Sequence, residues 1–298
     1  MRIPPVVRRK ALAAGHRAWI ERLPALVRTI ERQWSIVVGP TCPGGTEAYV
    51  ARVLTEDGRA ILKLMPPTDA AAHEITTLRL ADGDGCARLL RADLEHGAML
   101  LERLGAPLAD LDLPIDRRRE ILADAAARLW RPATGCGLPT GAEKGRLLAE
   151  YIVSAWEAQG RPCAEATVAH AVDCAERRAA AHDEERARLV HGDVHAQNAL
   201  ARGEEFALID PDGLLAEPEY DLGVILREDP AEGDPHEPAR ALAARMGLDA
   251  TAIWEWAVAE RVSTGLVCVA ARVSPAGEQL LATADRIAAR PELRDLAA

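Results

Sequence analysis

The sequence comprises 298 residues, 49% of them apolar, with a formal net charge of −10. That is enough chain for two separate cores or one large α/β core, and too apolar for global disorder. Aromatics at 3% are too few to build a base-stacking platform for single-stranded nucleic acid, and the acidic balance repels a polyanion. Six cysteines lie scattered with no C-x-x-C pair, and no apolar stretch is long enough to span a bilayer. The expectation is a cytoplasmic protein with reduced thiols, acting on neither nucleic acid nor membrane.

Residues 16–33 place Trp19, Ile20, Leu23, Leu26, Val27 and Ile30 close to helical spacing, which predicts an amphipathic helix kinked or interrupted near Pro24. A strand is expected at 34–38, followed by the turn Pro40-Thr41-Cys42-Pro43-Gly44-Gly45 and a second strand at 48–54. Glu56-Asp57-Gly58-Arg59 reads as a hairpin turn leading to a third strand at 60–65, which Pro66-Pro67 stops. Thr68 or Asp69 can cap a helix running to about Leu80, and Asp82-Gly83-Asp84-Gly85 ends it. Strands at 87–93 and 98–101 complete a small antiparallel sheet. Beyond Gly105 the pattern changes to Ala/Leu/Arg-rich helical segments at 116–130, 143–158 and 163–187, and from 238 onward. The expected fold class is therefore α+β, with a small β-rich lobe over 1–103 and a larger, mostly helical lobe over 104–298.

The chemistry concentrates at 189–213. His191, Asp193, Asn198 and Asp210 fall in the order that ATP-dependent phosphoryl transfer to a hydroxyl requires. One carboxylate orients the acceptor and takes its proton, an amide oxygen holds a metal, and a second carboxylate bridges metal and phosphates. Asp193 is read as the acceptor-orienting base, with Asn198 and Asp210 as hard oxygen ligands suited to Mg2+. Asp212 and Gly213 fit a β-turn after Asp210, and Asp212 is also a candidate acceptor contact.

Strand alternation puts Lys63 on the face of Ile61 and Met65, where an ammonium needs anionic partners; phosphate oxygens and Glu74, one turn into the next helix, could supply them. Gly44 and Gly45 could offer backbone N–H groups to phosphates, although two glycines between strands also make a plain turn. No G-x-x-x-x-G-K-[ST] is present, so a P-loop is set aside. At the joint after Met99-Leu-Leu-Glu-Arg-Leu104, the Glu102 C=O and the Leu104 N–H could serve an adenine, a reading compatible with a simple linker. His191 and His195 have i, i+4 spacing, but Gly192 disfavours a helix and no third zinc ligand follows. His191 is expected to brace the loop and His195 to line the site.

His191-Gly-Asp-Val-His-Ala-Gln-Asn198 resembles the H-G-D-x-H-x-x-N signature of the aminoglycoside phosphotransferase family, which shares the protein-kinase-like fold. Trp19-Ile-Glu-Arg-Leu-Pro-Ala-Leu-Val27, Met99–Leu104 and Ile209–Asp221 resemble the opening helix, hinge and post-metal segment of its streptomycin 6-kinase and hydroxyurea phosphotransferase branch. The resemblance implies ATP and Mg2+ as cofactors, ATP in a cleft at 102–105, Lys63 on the α/β-phosphates and on Glu74, and Asp221 as a brace for the catalytic loop. It implies a small cationic acceptor, streptomycin foremost. Glu217, Glu219, Glu228, Asp229, Glu232, Asp234 and Glu237 crowd the stretch after the loop, and carboxylates pair well with guanidinium groups; Glu217 and Glu219 are the expected acceptor contacts. Three alternatives stay open: a kinase of hydroxyurea or of an endogenous sugar or amino alcohol, a nucleotide-binding pseudokinase regulator, and a protein kinase. The last is disfavoured because no separate activation segment lies between Asp210 and Asp221.

Overall fold

The computed structural model describes residues 3–43 and 47–296. They divide into two compact units. One runs to Ala106 and includes Leu200–Asp212; the other contains Pro107–Ala199 and Gly213 onward. The boundary thus falls three residues later than read from the sequence. Leu200–Asp212, expected in the helical lobe, groups with the β-rich unit because its backbone bonds to residues of that unit: Ala87 N–H donates to Leu208 O, and Leu208 N–H to Gly85 O, both at 2.8 Å.

The first unit opens with α1 (Pro5–Ala13), which the sequence reading missed, and α2 (Arg17–Trp34). Pro5 at the first helical position of α1 loses no bond it would otherwise make. Pro24 lies inside α2 without dividing it. The apolar face of α2 compensates for the missing hydrogen bond, since Trp19, Ile20, Leu23, Val27 and Ile30 are all buried. β1 (Val37–Thr41), β2 (Tyr49–Thr55), β3 (Gly58–Leu64), β4 (Leu89–Asp93) and β5 (Ala98–Glu102) form an antiparallel sheet in the order β1-β2-β3-β5-β4. β1 starts later than predicted, because Trp34 remains helical. α3 (Asp69–Ala81) joins β3 to β4. Tyr49, Ala51, Val53, Leu62, Leu64, Ala98 and Leu100 pack with the buried stripe of α2. Period-two alternation therefore turns Lys63, paired with Val50 and Met99, to the opposite face.

The second unit contains α4 (Ile115–Leu129), α5 (Gly141–Ala158) and α6 (Glu165–Ala180), then β6 (Arg188–Val190). The hairpin β7 (Ala199–Arg202) and β8 (Glu205–Leu208) follows and runs into the first unit. β9 (Leu214–Ala216) pairs antiparallel with β6. α7 (Glu219–Leu226), α8 (Glu237–Met246), α9 (Ala250–Ala270), α10 (Ala276–Ala288) and α11 (Pro291–Arg294) complete it. α9 is buried almost all round, Glu255, Glu260 and Arg261 included. Ile253, Trp254, Ala257, Val258, Val262 and Leu266 share a core with Leu222 and Leu226 of α7. Gly223 sets the closeness of that crossing: a Cβ there would run into Trp256 Cβ and stand 2.9 Å from Ala257 N. None of the six cysteines is in a disulfide, and no helix of the described residues is long and apolar enough to cross a membrane.

Candidate active site

In the first unit the chemistry centres on Lys63. Its Nζ donates to both carboxylate oxygens of Glu74 at 2.6 Å and to Asp210 Oδ1 at 2.9 Å. Lys63 and Glu74 are almost wholly buried, whereas the Asp210 side chain is 48% exposed. Burial works against the ammonium, but Asp210 and Glu74 outweigh it, so Lys63 stays protonated well above its ordinary range. Burial pushes the Glu74 carboxyl up to about 7, against the pull of the Lys63 ammonium. One ammonium faces two carboxylates within hydrogen-bond reach, so the proton of the pair stays on Lys63. Asp210, two residues past β8, adopts a left-handed backbone, φ 59°, a conformation that Asp tolerates better than most residues. Asp212 is exposed and adds negative charge near Glu74.

At the expected adenine joint, two backbone hydrogen bonds tie 105–106 to β7: Gly105 N–H to Ala201 O at 2.8 Å and Ala201 N–H to Ala106 O at 2.9 Å. The Glu102 carboxylate accepts from Arg88 N–H at 2.5 Å and from the Arg202 guanidinium. Among the described residues no protein acceptor takes the Leu104 N–H. Gly44 and Gly45 lie outside the described residues.

In the second unit the loop after β6 carries Asp193 and Asn198. Asp221, fully buried at the start of α7, accepts from His191 N–H (3.0 Å), Gly192 N–H (2.9 Å) and Trp130 Nε1–H (2.9 Å). Burial raises its pKa, while His191 and the hydrogen bonds from Gly192, His191 and Trp130 pull the other way. Gly192 supplies the positive φ, 90°, that turns the loop there. His191 is fully buried, and its Nδ1 accepts from Asp193 N–H at 3.2 Å. Asn198 Nδ2 donates to Asp193 O at 3.1 Å and to Asp193 Oδ2 at 3.0 Å. The opposite amide orientation would set an oxygen against a carboxylate, so Oδ1 is the atom Asn198 has left to offer. His195 Nε2 stands 3.4 Å from Asp193 Oδ2.

The sequence reading missed Arg227, whose Nη2 donates to Asp193 Oδ1 at 2.7 Å. A lone arginine between Leu226 and two acids reads as a solvated helix end, and only its burial shows otherwise. Burial alone would raise the Asp193 pKa, but His195 and Arg227 overcome it and hold this carboxyl far below the usual carboxylate range.

Glu217 and Glu219 are turned away from the acceptor role expected of them. Glu217 accepts from Trp256 Nε1–H at 2.7 Å and Arg178 Nη1–H at 3.3 Å. Glu219 is fully buried, accepts from Asp249 N–H at 3.2 Å and pairs with Arg186 at 3.5 Å. Farther along, Asp229 pairs with Arg119 and Asp234 with Arg240. Glu228 keeps a side chain that is 61% exposed.

The donor chemistry fits a hard divalent cation. Among the described residues no cluster of three or more His, Cys, Asp or Glu side chains could hold a metal by itself. An ion taking most of its ligands from phosphate and water needs only an amide oxygen and a carboxylate from the protein. The buried Lys63 ammonium likewise fits a polyphosphate.

Comparison with solved structures fixes the fold as protein-kinase-like. An aminoglycoside phosphotransferase, APH(4)-Ia, in a ternary complex with AMP-PNP and hygromycin B superposes with a TM-score of 0.65 at 16% identity, covering 88% of this chain and 97% of that one. Choline kinase LicA from Streptococcus pneumoniae gives 0.63 at 15% identity, covering 90% and 99%. The family model described as aminoglycoside/hydroxyurea antibiotic resistance kinase matches residues 33–269, and the chain belongs to that family. A hydroxyurea phosphotransferase from Kitasatospora aureofaciens is 36% identical over 216 residues, 70% of this chain. This chain spans 62% of that relative's length. A streptomycin 6-kinase from Streptomyces glaucescens is 34% identical over 217 residues, 72% of this chain and 69% of the relative.

Proposed function

We propose that the chain is an ATP- and Mg2+-dependent phosphotransferase that moves the γ-phosphoryl group of ATP onto a hydroxyl of a small molecule, acting in the cytoplasm. One observation carries the reading: the Asp193 carboxylate is held by Asn198, whose amide oxygen remains available for a metal. Neither a binding module nor a regulator needs that pairing.

In this reading Lys63, itself fixed by Glu74, would bind phosphate oxygens, and Asn198 and Asp210 would each offer the metal an oxygen. Bound Mg2+ would neutralise charge on the phosphates. Asp193 receives the acceptor hydroxyl. A carboxylate held so far below its usual range is a weak base, so its work is to orient the hydroxyl and to accept the proton late, as the new O–P bond forms. That timing suits phosphoryl transfer, whose transition state is largely dissociative and asks little of a base. Positioning then supplies most of the rate.

The acceptor we favour is streptomycin or a related cationic aminocyclitol. With Glu217 and Glu219 committed inside the unit, exposed Glu228, next in sequence to Arg227, is the carboxylate best placed to meet a guanidinium group. Hydroxyurea is the second candidate, on the strength of the 36% identical phosphotransferase. Incubation with γ-32P-ATP and each acceptor separates them: label in streptomycin supports the first, label in hydroxyurea alone the second. ATP binding with no transfer to either, or to a panel of small alcohols, would overturn the proposal.

A further inference from the structure

The geometry points to Arg227 as a positioning residue that locks the Asp193 carboxylate in the orientation receiving the acceptor hydroxyl. This inference rests on the phosphotransferase reading above. Arg227 directly follows α7, and its side chain is only 10% exposed. Its Nη2 takes Asp193 Oδ1 at 2.7 Å while Asn198 Nδ2 takes Oδ2 at 3.0 Å. Each carboxylate oxygen therefore has its own donor from a different direction, and rotation about the Cβ–Cγ bond would break both contacts. The other charges facing the guanidinium are Glu228, 3.9 Å from Nε, and Glu260 of α9.

The plainer interpretation is an ion pair that staples α7 to the loop for stability. The stapling is already done elsewhere: Asp221, at the other end of the same helix, holds the loop through the backbone N–H groups of His191 and Gly192. Arg227 does not repeat that grip. Its bond goes to the one side chain that reacts, and a buried ion pair is a poor source of net stability. Its buried Nε has no hydrogen-bond partner among the described residues. The planar fork gives a fixed approach that a lysine ammonium cannot reproduce.

The test uses the full chain with Arg227→Met and Arg227→Lys, each alone and with Asp193→Asn. Active sites are counted by titration with a fluorescent ATP analogue, and transfer from ATP to streptomycin or hydroxyurea is followed. Misplacing a reacting group by about an ångström costs about 10²-fold, so Arg227→Met is expected to lower kcat per site by about 10²-fold. KM for ATP should stay within about twofold, because no ground-state contact to the nucleotide is lost. In the Asp193→Asn background the same change should do almost nothing, since there is no carboxylate left to place. A kcat within about threefold of wild type, or losses that multiply in the double variant, would overturn the inference. Should Arg227→Met fail to fold, Arg227→Lys decides: about a tenfold lower kcat with KM unchanged supports positioning, whereas a raised KM with kcat unchanged refutes it. A wild type that binds ATP yet phosphorylates no acceptor brings down the phosphotransferase reading and this inference together. A working wild type with an indifferent Arg227→Met brings down this inference alone.

Discussion

Replacing Asp221 by Asn tests how the catalytic loop is held. The carboxylate accepts three hydrogen bonds in a fully buried position, two at Oδ2 from His191 N–H and Trp130 Nε1–H and one at Oδ1 from Gly192 N–H. An asparagine offers a single oxygen. Placed at Oδ2 it keeps two bonds but faces the Gly192 N–H with an NH2 group, leaving a buried donor unmatched at about 1–3 kcal/mol. The two surviving bonds lose their charge assistance, on the order of 1 kcal/mol each. The sum is about 3–5 kcal/mol, a large part of a typical domain's stability. For a unit of this size each kcal/mol moves the melting temperature by about 2–4 °C, so a fall on the order of 10 °C is expected by circular dichroism. Asp193 sits two residues beyond His191, so the survivors at 25 °C should also turn over more slowly, by about 10²-fold. A melting temperature within about 2 °C of wild type together with normal kcat would refute the bracing role.

Lys63→Met removes the ammonium from between Glu74 and Asp210 and leaves two carboxylates facing an incoming polyphosphate. KM for ATP should rise by at least about tenfold in steady-state assays, and an unchanged kcat/KM for ATP would contradict the phosphate role. Gly223→Ala forces a Cβ against Trp256 and the α9 backbone, at a cost of about 1–3 kcal/mol or more. Lower thermal stability should come with reduced turnover, because α7 carries Asp221 and leads directly into Arg227; a neutral melt would show that the crossing can widen freely. Burial pushes Cys163 up to about 11 and Cys174 up to about 12, and only the thiolate is alkylated. Iodoacetamide at pH 8 should therefore spare both until the protein is unfolded, as peptide mass mapping would reveal.

Much of the candidate site was legible because its proposed residues lie close in sequence. Asp193 and Asn198 share one loop, and the order of functional groups from His191 to Asp210 has little competing structural explanation. Lys63 could be assigned to a face because strands alternate strictly, and Glu74 because it lies one turn into the helix beyond the following loop. What escaped was decided by long-range partners. The acidic run looked like a surface for a cation, yet Arg178, Arg186 and Trp256 draw Glu217 and Glu219 inward, and these partners lie 30 to 40 residues away. Arg227 escaped for the same reason, 34 residues from the carboxylate it serves. Local propensity also misplaced the end of α2, where packing of the Trp34 turn extended the helix past the expected strand start. The short helix α1 has too little apolar periodicity to stand out, with only Val7 and Ala11 buried.

The most direct measurement compares wild type with Asp193→Asn in transfer of 32P from γ-labelled ATP to streptomycin and hydroxyurea, with ATP affinity determined in parallel. The expected outcome is a labelled small molecule from the wild type, and labelling slower by about 10²–10⁴-fold from a variant that still binds ATP. Equal labelling by both proteins would contradict the role given to Asp193 and, with it, the mechanism built around that carboxylate.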